Sequence, residues 1–385
     1  MARTSFIKEV NWKLLFSALG LMVISLLTIA GCETQSIPDD TVSSGSYLMT
    51  LLSSSKVLGQ LRWQILGVFS FFILAKFDYH HLREWTWFLY LFAVIALVGL
   101  FFVEPIANVH RWYRIPFLGM SIQPAEYAKL IAVMAMAWYL EHNKHASSRF
   151  SVAVGLFIIA FPIFFLIFKQ PDLGGALVFI PMVAAVMRFG QIHPGIQKAL
   201  SIVSIIALSF VSLIFMGVLD HDQMRPVATR YVKEYQYERL SPKGYHQSAC
   251  QTSISIGGVW GRGLSGAQYC RGGWLPEATT DAIFAAWTEM FGLVGAIVVL
   301  GLYAILLNES LNAALVAKDS FGQLLAAGIA VYLAAHVIVN IGMVSGVLPM
   351  TGVPLPLLSY GGSSVLANMA ALGVLQSIYS RRFLF

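Results

Sequence analysis

The sequence predicts an all-α polytopic membrane protein with about ten transmembrane helices and one long extracytoplasmic loop. Two observations predict this class. Of the 385 residues, 57% are hydrophobic and only 11% are charged, whereas roughly a quarter are charged in ordinary soluble domains. Apolar runs of about 20 residues, the length that crosses a hydrocarbon core, recur along the whole chain. We therefore expect one membrane domain over residues 1–385, without a soluble catalytic domain.

Hydropathy places the predicted spans in ten apolar windows. The windows are Trp12–Ala30, Leu61–Phe77, Glu84–Val103, Ala125–Leu140, Ser151–Phe168, Gly174–Phe189, Ala199–Leu219, Asp281–Leu307, Phe321–Val347 and Gly361–Ser380. The connections between them are short with one exception, residues 220–280. A loop of about 60 residues is usually functional.

The placement of Lys and Arg predicts which side of the membrane each loop faces, because short cytoplasmic loops carry an excess of these residues. If both termini are cytoplasmic, the short outer loops contain only Lys56, Arg62, Arg111, Arg114 and Lys169. We therefore expect both termini in the cytoplasm and the long loop outside. The net charge of +6 does not indicate nucleic acid as a partner, since the basic residues form no stripe or tail.

Three cysteines, Cys32, Cys250 and Cys270, lack the spacing of a metal site. Cys250 and Cys270 lie in the long outer loop, on the oxidising side, and a disulfide between them is one hypothesis. The stretch Ile29–Cys32, after a basic start, resembles a lipidation cleavage site. The alternative, which we favour, is a first transmembrane helix that ends at a small residue.

Glu126 and Lys129 are ionisable residues inside a predicted span. Charged side chains cost about 2.5–3.5 kcal/mol each there on insertion scales, which makes each one a candidate for function. They are three residues apart and therefore share one helix face. The pair either lines a polar cavity or only neutralises itself near the outer interface.

Two turns are candidate binding sites for an anionic or sugar ligand. In Lys169–Gly175, Pro and Gly break the helix and expose backbone amides near Asp172, and a plain tight turn is the alternative. In Ser359–Ser364, hydroxyls and free amides can bind phosphate or sugar, and a structural turn with a serine cap is the alternative. Non-helical backbone at this depth must be buried in protein or border a wet cavity.

Asp281 is the strongest single candidate for chemistry, because it lies where the long outer loop joins the eighth predicted span. A carboxylate at an apolar boundary loses solvation and becomes a better proton acceptor near neutral pH. Alternatively, Asp281 caps the following helix, where unpaired amides and the helix dipole stabilise it. The residues alone leave both interpretations open.

Six segments resemble, in order, the motifs of the shape, elongation, division and sporulation family, of which RodA and FtsW are the best-known members. They are Arg111–Trp112, Gln123–Lys129, Lys169–Gly174, Gly257–Leu264, Leu275–Phe284 and Gly342–Ser364. The similarity covers nearly the whole chain. The stretch Met350–Pro356 resembles the RodA branch more than the FtsW branch, whose corresponding stretch usually has Lys before the Gly.

The resemblance implies a glycosyltransferase that polymerises lipid II at the outer face of the cytoplasmic membrane and releases polyprenyl diphosphate. It implies a divalent cation (Mg or Mn), no organic cofactor, and a class B penicillin-binding protein and other elongation-complex membrane proteins as partners. Asp281 matches the essential acidic residue of the family. The matching substrate-binding residues are Arg111, Glu126, Lys129, Lys169, Asp172, Ser359, Tyr360, Ser363 and Ser364.

Three features depart from the family pattern, namely His110, Ala282 and the stretch Gln247–Ile256, and they affect the expected acceptor contacts. An FtsW-like division polymerase is one alternative function. A lipid-precursor flippase or secondary transporter is another, because such proteins also combine buried ions with broken helices. A transporter should concentrate its ionisable residues near the midplane, whereas here Asp281 and Lys169 are expected at the outer surface. A third class is a non-catalytic scaffold.

Overall fold

The structure, a computed structural model, describes residues 10–33, 54–105, 109–115, 120–146, 150–199, 202, 225 and 244–383. The amino-terminal helices are α1 (Trp12–Glu33), α2 (Ser55–Lys76) and α3 (Tyr79–Gly99). A hairpin, β1 (Tyr113–Ile115) and β2 (Met120–Ile122), leads into α4 (Pro124–His142), α5 (Phe150–Lys169) and α6 (Leu173–Phe189). The later helices are α7 (Tyr245–Gly257), α8 (Gly263–Gly266), α9 (Gln268–Arg271), α10 (Ile283–Val316), α11 (Ser320–Ser345) and α12 (Gly362–Ser380).

Within the described ranges, six helices are long and apolar enough to cross a membrane. They are α1, α2, α3 with the turn that extends it to Phe102, α5, α10 and α11. Helices α4, α6 and α12 coincide with three further predicted windows. The predicted span at residues 199–219 lies almost wholly outside the described residues. The predicted class, an all-α polytopic membrane protein, is confirmed.

Small residues allow the helices at the centre of the molecule to approach closely. At the contact between α2 and α12, a Cβ on Gly373 would lie 2.7 Å from the Phe71 carbonyl oxygen. Helix α4 buries Ala125, Ala128 and Ala132 among α3, α5, α6 and α11. Glu126 and Lys129 on α4 are therefore enclosed by protein and do not face lipid.

Two features of the backbone were not predicted. Strands β1 and β2 pair antiparallel, with Tyr113 opposite Ile122 and Ile115 opposite Met120. The predicted span from Asp281 to Leu307 corresponds to α10, but α10 breaks at Gly292, where φ is 62° and ψ is −159°. Glycine adopts such angles readily because it has no Cβ. The described part of the predicted loop at 220–280 contains α7, α8 and α9.

The predicted disulfide between Cys250 and Cys270 is wrong. Cys270 is bonded to Cys32, which lies 238 residues away in sequence, and Cys250 is a free, buried thiol. The bond joins the end of α1 to α9 at a close approach where a Cβ on Gly31 would lie 2.6 Å from Met290 Cε. The Cys32 sulfur that lipidation would modify is therefore already bonded, which supports the transmembrane-helix interpretation of this stretch.

We expect the folded protein to resist thiol-specific maleimide until it is reduced. Burial raises the pKa of the Cys250 thiol to about 12, and the nearby Asp281 carboxylate adds to this effect. Because the thiolate is the reactive form, Cys250 should react slowly even after reduction. Mass spectrometry should locate the new adducts on Cys32 and Cys270. A Cys250→Ser control should show the same labelling, and rapid labelling without reductant would contradict the assigned bond.

Candidate functional site

Asp281 lies in a tight turn that enters α10. The N–H groups of Thr280 and Ala282 both donate to the Glu277 carbonyl oxygen at 3.1 Å. The N-cap residue of α10 is Ala282, so Asp281 immediately precedes the cap of this helix. Asp281 is partly exposed, whereas Ala282 and Ile283 are completely buried. The residue thus lies at the boundary between the surface and the packed interior.

The Ser359–Tyr360 segment holds this turn from one side. Ser359 Oγ donates to the Thr280 carbonyl oxygen at 2.6 Å and accepts from Leu355 N at 2.8 Å. Tyr360 N donates to the Thr279 carbonyl oxygen at 2.8 Å. The Ser359 hydroxyl is therefore engaged in fixing the residues next to Asp281.

Asn340 on α11 holds the turn from the other side. Its Nδ2 donates to the carbonyl oxygens of Asp281, at 2.9 Å, and Val353, at 2.7 Å. The side chain is completely buried, and its Oδ1 has no hydrogen-bond partner within the described residues. The amide of Asn340 on α11 thus connects the turn at Asp281 with the segment that contains Val353.

A buried polar network joins α4 to α11. Lys129 Nζ lies 2.9 Å from Glu126 Oε1, and Tyr332 OH donates to Glu126 Oε2 at 2.8 Å. Lys129 Nζ also lies 3.3 Å from His336 Nε2. All four side chains are at least 97% buried. The predicted mutual neutralisation of Glu126 and Lys129 is therefore present, and it includes two residues of α11.

The contacts of His336 indicate its tautomer. Nδ1 lies 2.9 Å from the Tyr332 carbonyl oxygen, an acceptor, so Nδ1 carries the proton. Nε2 then presents a lone pair to the Lys129 ammonium. A second proton on His336 would place two cations 3.3 Å apart opposite one carboxylate, Glu126, in a buried site. The neutral ring is the form that this site accommodates.

We expect His336→Gln to retain most of the thermal stability of the parent protein and His336→Leu to lose much of it. The Gln amide can accept from Lys129 and donate to the Tyr332 carbonyl oxygen, whereas Leu leaves a buried ammonium donor unsatisfied at a cost of about 1–3 kcal/mol. Thermal unfolding of both variants checks this. Equal loss in the two variants would contradict the assigned hydrogen bonds.

A second polar cluster forms where the hairpin meets α6. Arg111 Nε donates to the Gln170 carbonyl oxygen at 3.1 Å, and its Nη2 donates to the Pro171 carbonyl oxygen. Asp172 caps α6 by accepting from Gly175 N at 3.0 Å, and Arg111 Nη1 lies 3.9 Å from Asp172 Oδ1. An amide that was expected to bind an anionic ligand is therefore already satisfied by the chain, which favours the tight-turn interpretation.

Ser363 connects α12 to the hairpin and to the start of α4, whereas the contact of Ser364 lies within α12. Ser363 Oγ accepts from Gln123 N at 2.9 Å and donates to the Ser121 carbonyl oxygen at 3.0 Å. Asn368 Nδ2 donates to Ser364 Oγ at 3.1 Å. Gln123 Nε2 in turn donates to Asp172 Oδ2 at 3.3 Å. Gln123 therefore links the second polar cluster, which contains Arg111 and Asp172, to Ser363 on α12.

Lys169 is a predicted site residue that lies outside the groups of contacts described above. It is exposed at the end of α5, with Nζ 5.5 Å from the centre of the Phe165 ring. In the part of the chain that is described, no three His, Cys, Asp or Glu side chains lie together as a cation site. The described residues of this region do not by themselves form the ligand set of a resident divalent cation.

Four residues that hold this region together were not predicted from the sequence. Tyr332, His336 and Asn340 are spaced by four on α11, so polar groups follow one face of an otherwise apolar helix. That spacing is the signal that would have identified them. Gln60, which accepts from Gly361 N at 3.2 Å and donates to the Ser359 carbonyl oxygen at 3.3 Å, carried no comparable signal.

Comparison with known protein families shows the family of this chain. A family model described as "Cell cycle protein" and named for FtsW, RodA and SpoVE matches residues 12–382. The chain belongs to the FtsW/RodA/SpoVE family. This confirms the family that the six sequence motifs indicated.

Relatives within the FtsW/RodA/SpoVE family carry names of two kinds. Peptidoglycan glycosyltransferase MrdB of Escherichia coli K12 is 31% identical over 342 residues, covering 88% of this chain and 90% of that protein. MrdB of Helicobacter pylori 26695 is 30% identical over 355 residues, with 88% and 87% covered. A probable peptidoglycan glycosyltransferase FtsW of Trichlorobacter lovleyi is 31% identical over 328 residues, with 83% and 82% covered.

Solved structures of the same fold agree with this placement. A chain from a study titled "Structural coordination of polymerization and crosslinking by a peptidoglycan synthase complex" matches with a TM-score of 0.73 and 27% identity, over 98% of this chain and 99% of that chain. The RodA crystal structure from Thermus thermophilus matches with a TM-score of 0.68 over 98% of each chain. At 24% identity, the latter likeness concerns the fold alone.

Proposed function

We propose that this member of the FtsW/RodA/SpoVE family is a peptidoglycan glycosyltransferase that joins lipid II disaccharide units into glycan strands. Relatives named for this activity match 88% and 83% of the chain. The observation that carries the proposal is the placement of Asp281, partly exposed and fixed through its backbone by Asn340. The Met350–Pro356 stretch favours a role in rod-shape elongation, although relatives of the division type are equally similar.

In the proposed reaction, Asp281 accepts the proton of an acceptor-sugar hydroxyl while that oxygen attacks the anomeric carbon of the donor. The bond from this carbon to the diphosphate oxygen breaks, and polyprenyl diphosphate leaves. General-base assistance of this kind is typically worth about 10²–10⁴ in rate. Ser359 and Asn340 support it by restricting where the turn that bears Asp281 can lie.

The departing diphosphate requires nearby positive charge. We propose Arg111 as the principal contact, because it is partly exposed; two of its nitrogens are held by backbone carbonyl oxygens, and its Nη1 lies 3.9 Å from Asp172 Oδ1. Lys169 is exposed and can also reach a ligand at the surface. Lys129 is fully buried against Glu126, so we assign it an indirect role in positioning α4 and α11. A Mg or Mn ion that accompanies the substrate would supply further neutralisation of the diphosphate.

We also propose the orientation in the membrane, with both termini in the cytoplasm and Asp281 at the outer face. The excess of Lys and Arg in the loops assigned to the cytoplasm supports this orientation. The Cys32–Cys270 bond supports it independently, because disulfides persist in oxidising compartments and α9 lies in the loop that precedes Asp281.

We propose a class B penicillin-binding protein as the main partner, with other membrane proteins of the elongation complex. Such a partner would supply the crosslinking activity that a polymerase of glycan strands requires. One similar structure comes from a peptidoglycan synthase complex that coordinates polymerization and crosslinking. Co-purification of the two proteins from the native membrane tests this assignment.

Incubation of the purified protein with lipid II and a divalent cation tests the function directly. We expect a ladder of glycan strands on a gel and release of polyprenyl diphosphate. The rival transport function is tested in the same preparation by following fluorescent lipid II across vesicle membranes. Translocation without any polymer would contradict the enzyme assignment and favour a carrier.

A further inference from the structure

The turn between α7 and α8 carries two exposed apolar residues, Val259 and Trp260. It packs against the break in α10 at Gly292. We propose that these two residues form a membrane-contact surface seated in the lipid leaflet on the Asp281 side of the bilayer. The ligand of this surface is phospholipid, at the boundary between headgroups and acyl chains. The assignment is independent of the proposed enzymatic activity.

The burial of α10 changes abruptly at Gly292. Every residue from Ile283 to Met290 is buried in protein. Immediately after the break, the exposed apolar residues begin, with Leu293 at 53% and Ile297 at 59% exposure. The first part of α10 is therefore a protein-enclosed segment, and the surface that faces lipid starts at Leu293.

The length of the exposed surface matches a bilayer. Exposed apolar residues follow α10 as far as Leu315. From Leu293 to Leu315 the helix rises about 33 Å at 1.5 Å per residue, close to the roughly 30 Å thickness of a hydrocarbon core. Gly292 thus lies at one edge of the hydrocarbon.

Hydrogen bonds hold the loop at this edge. Leu293 N donates to the Gly258 carbonyl oxygen at 2.9 Å, and Val294 N donates to the Val259 carbonyl oxygen at 3.2 Å. These bonds satisfy N–H groups that the break removes from the helix, as a low-dielectric environment requires. Val259 is consequently fixed beside the first lipid-facing turn of α10.

The side chains of this turn are typical of the interface between lipid and water. Trp260 is 82% exposed and Val259 is 53% exposed. Tryptophan concentrates at membrane interfaces because its ring is apolar while its N–H can bond to headgroups. The exposed Arg262 nearby can attract anionic headgroups. Because Val259 is hydrogen-bonded to the first lipid-facing turn of α10, lipid is the occupant that we assign.

Spin labelling tests the proposal, because the native cysteines are either bonded or buried. A new Cys at position 259 or 260 is then the accessible thiol for a nitroxide. Val259→Cys and Trp260→Cys are labelled in nanodiscs of phosphatidylethanolamine and phosphatidylglycerol, after their folding is checked by gel filtration. Leu293→Cys provides a lipid-facing reference, and Ser248→Cys, on the exposed polar face of α7, provides an aqueous one.

We expect labels at 259 and 260 to collide with oxygen, which concentrates in lipid, more than with a water-soluble nickel chelate, as at 293. The label at 248 should show the opposite order. Nickel accessibility at 259 and 260 equal to that at 248 would overturn the proposal. Low accessibility to both reagents would also overturn it, because the surface would then be covered by protein.

Discussion

Replacing Asp281 with Asn is expected to lower the rate of lipid II polymerisation by about 10²–10⁴-fold, the typical contribution of a general base. Asn has nearly the same size as Asp, and the backbone bond from Asn340 to residue 281 does not depend on the carboxylate. The amide cannot accept the proton of the attacking hydroxyl. Quantifying glycan strands over time, together with thermal unfolding, measures the loss of rate and the retained fold.

The matched control is Glu277→Gln in the same turn. Glu277 is exposed, and its Oε2 accepts from Thr280 Oγ1 at 2.8 Å, a bond that an amide oxygen can also accept. We expect a polymerisation rate close to that of the parent protein. If both substitutions abolished synthesis, the effect would reflect any loss of charge in the turn, and the specific role of Asp281 would be refuted.

Replacing Lys129 with Met is expected to lower the free energy of unfolding by about 3–5 kcal/mol, because it leaves one charge of a buried pair uncompensated. Glu126 would keep its hydrogen bond from Tyr332 but lose the ammonium at 2.9 Å. Unfolding in mixed detergent micelles measures the change. Polymerisation should fall as well, since the network positions α11 and thereby Asn340.

Two controls separate burial from charge in this experiment. The double variant Glu126→Gln, Lys129→Met should recover much of the stability, because no unpaired charge then remains. Lys56→Met breaks an exposed pair with Glu33, whose N···O distance is 2.7 Å, and should cost less than about 1 kcal/mol. A similar loss in Lys56→Met and Lys129→Met would contradict the importance of burial.

The helices could be predicted where the apolar pattern is local. Helices α5 and α6 begin and end within one or two residues of their predicted windows, since length and flanking polar residues define them. The break at Gly292 could not be predicted in this way. It depends on Gly258 and Val259, which lie more than thirty residues earlier and supply the missing hydrogen-bond acceptors.

In the candidate site, too, local contacts could be predicted from the sequence and long-range contacts could not. The pairing of Glu126 with Lys129 follows from their spacing on one helix, and the structure contains it. Their partners on α11 lie about 200 residues away in sequence, and only helix packing brings them together. The Cys32–Cys270 bond has the same origin, because the end of α1 meets α9 only in the folded chain.

Lipid II binding by the Asp281→Asn variant is the most direct test of the assigned role. A base that acts on the attacking hydroxyl contributes mainly in the transition state, so the variant should bind lipid II within about twofold of the parent affinity while it forms no strands. Fluorescent lipid II titrated into nanodisc-embedded protein provides the dissociation constant. Affinity that falls in parallel with the rate would instead assign Asp281 to holding substrate or structure, and the account of its chemistry would fail.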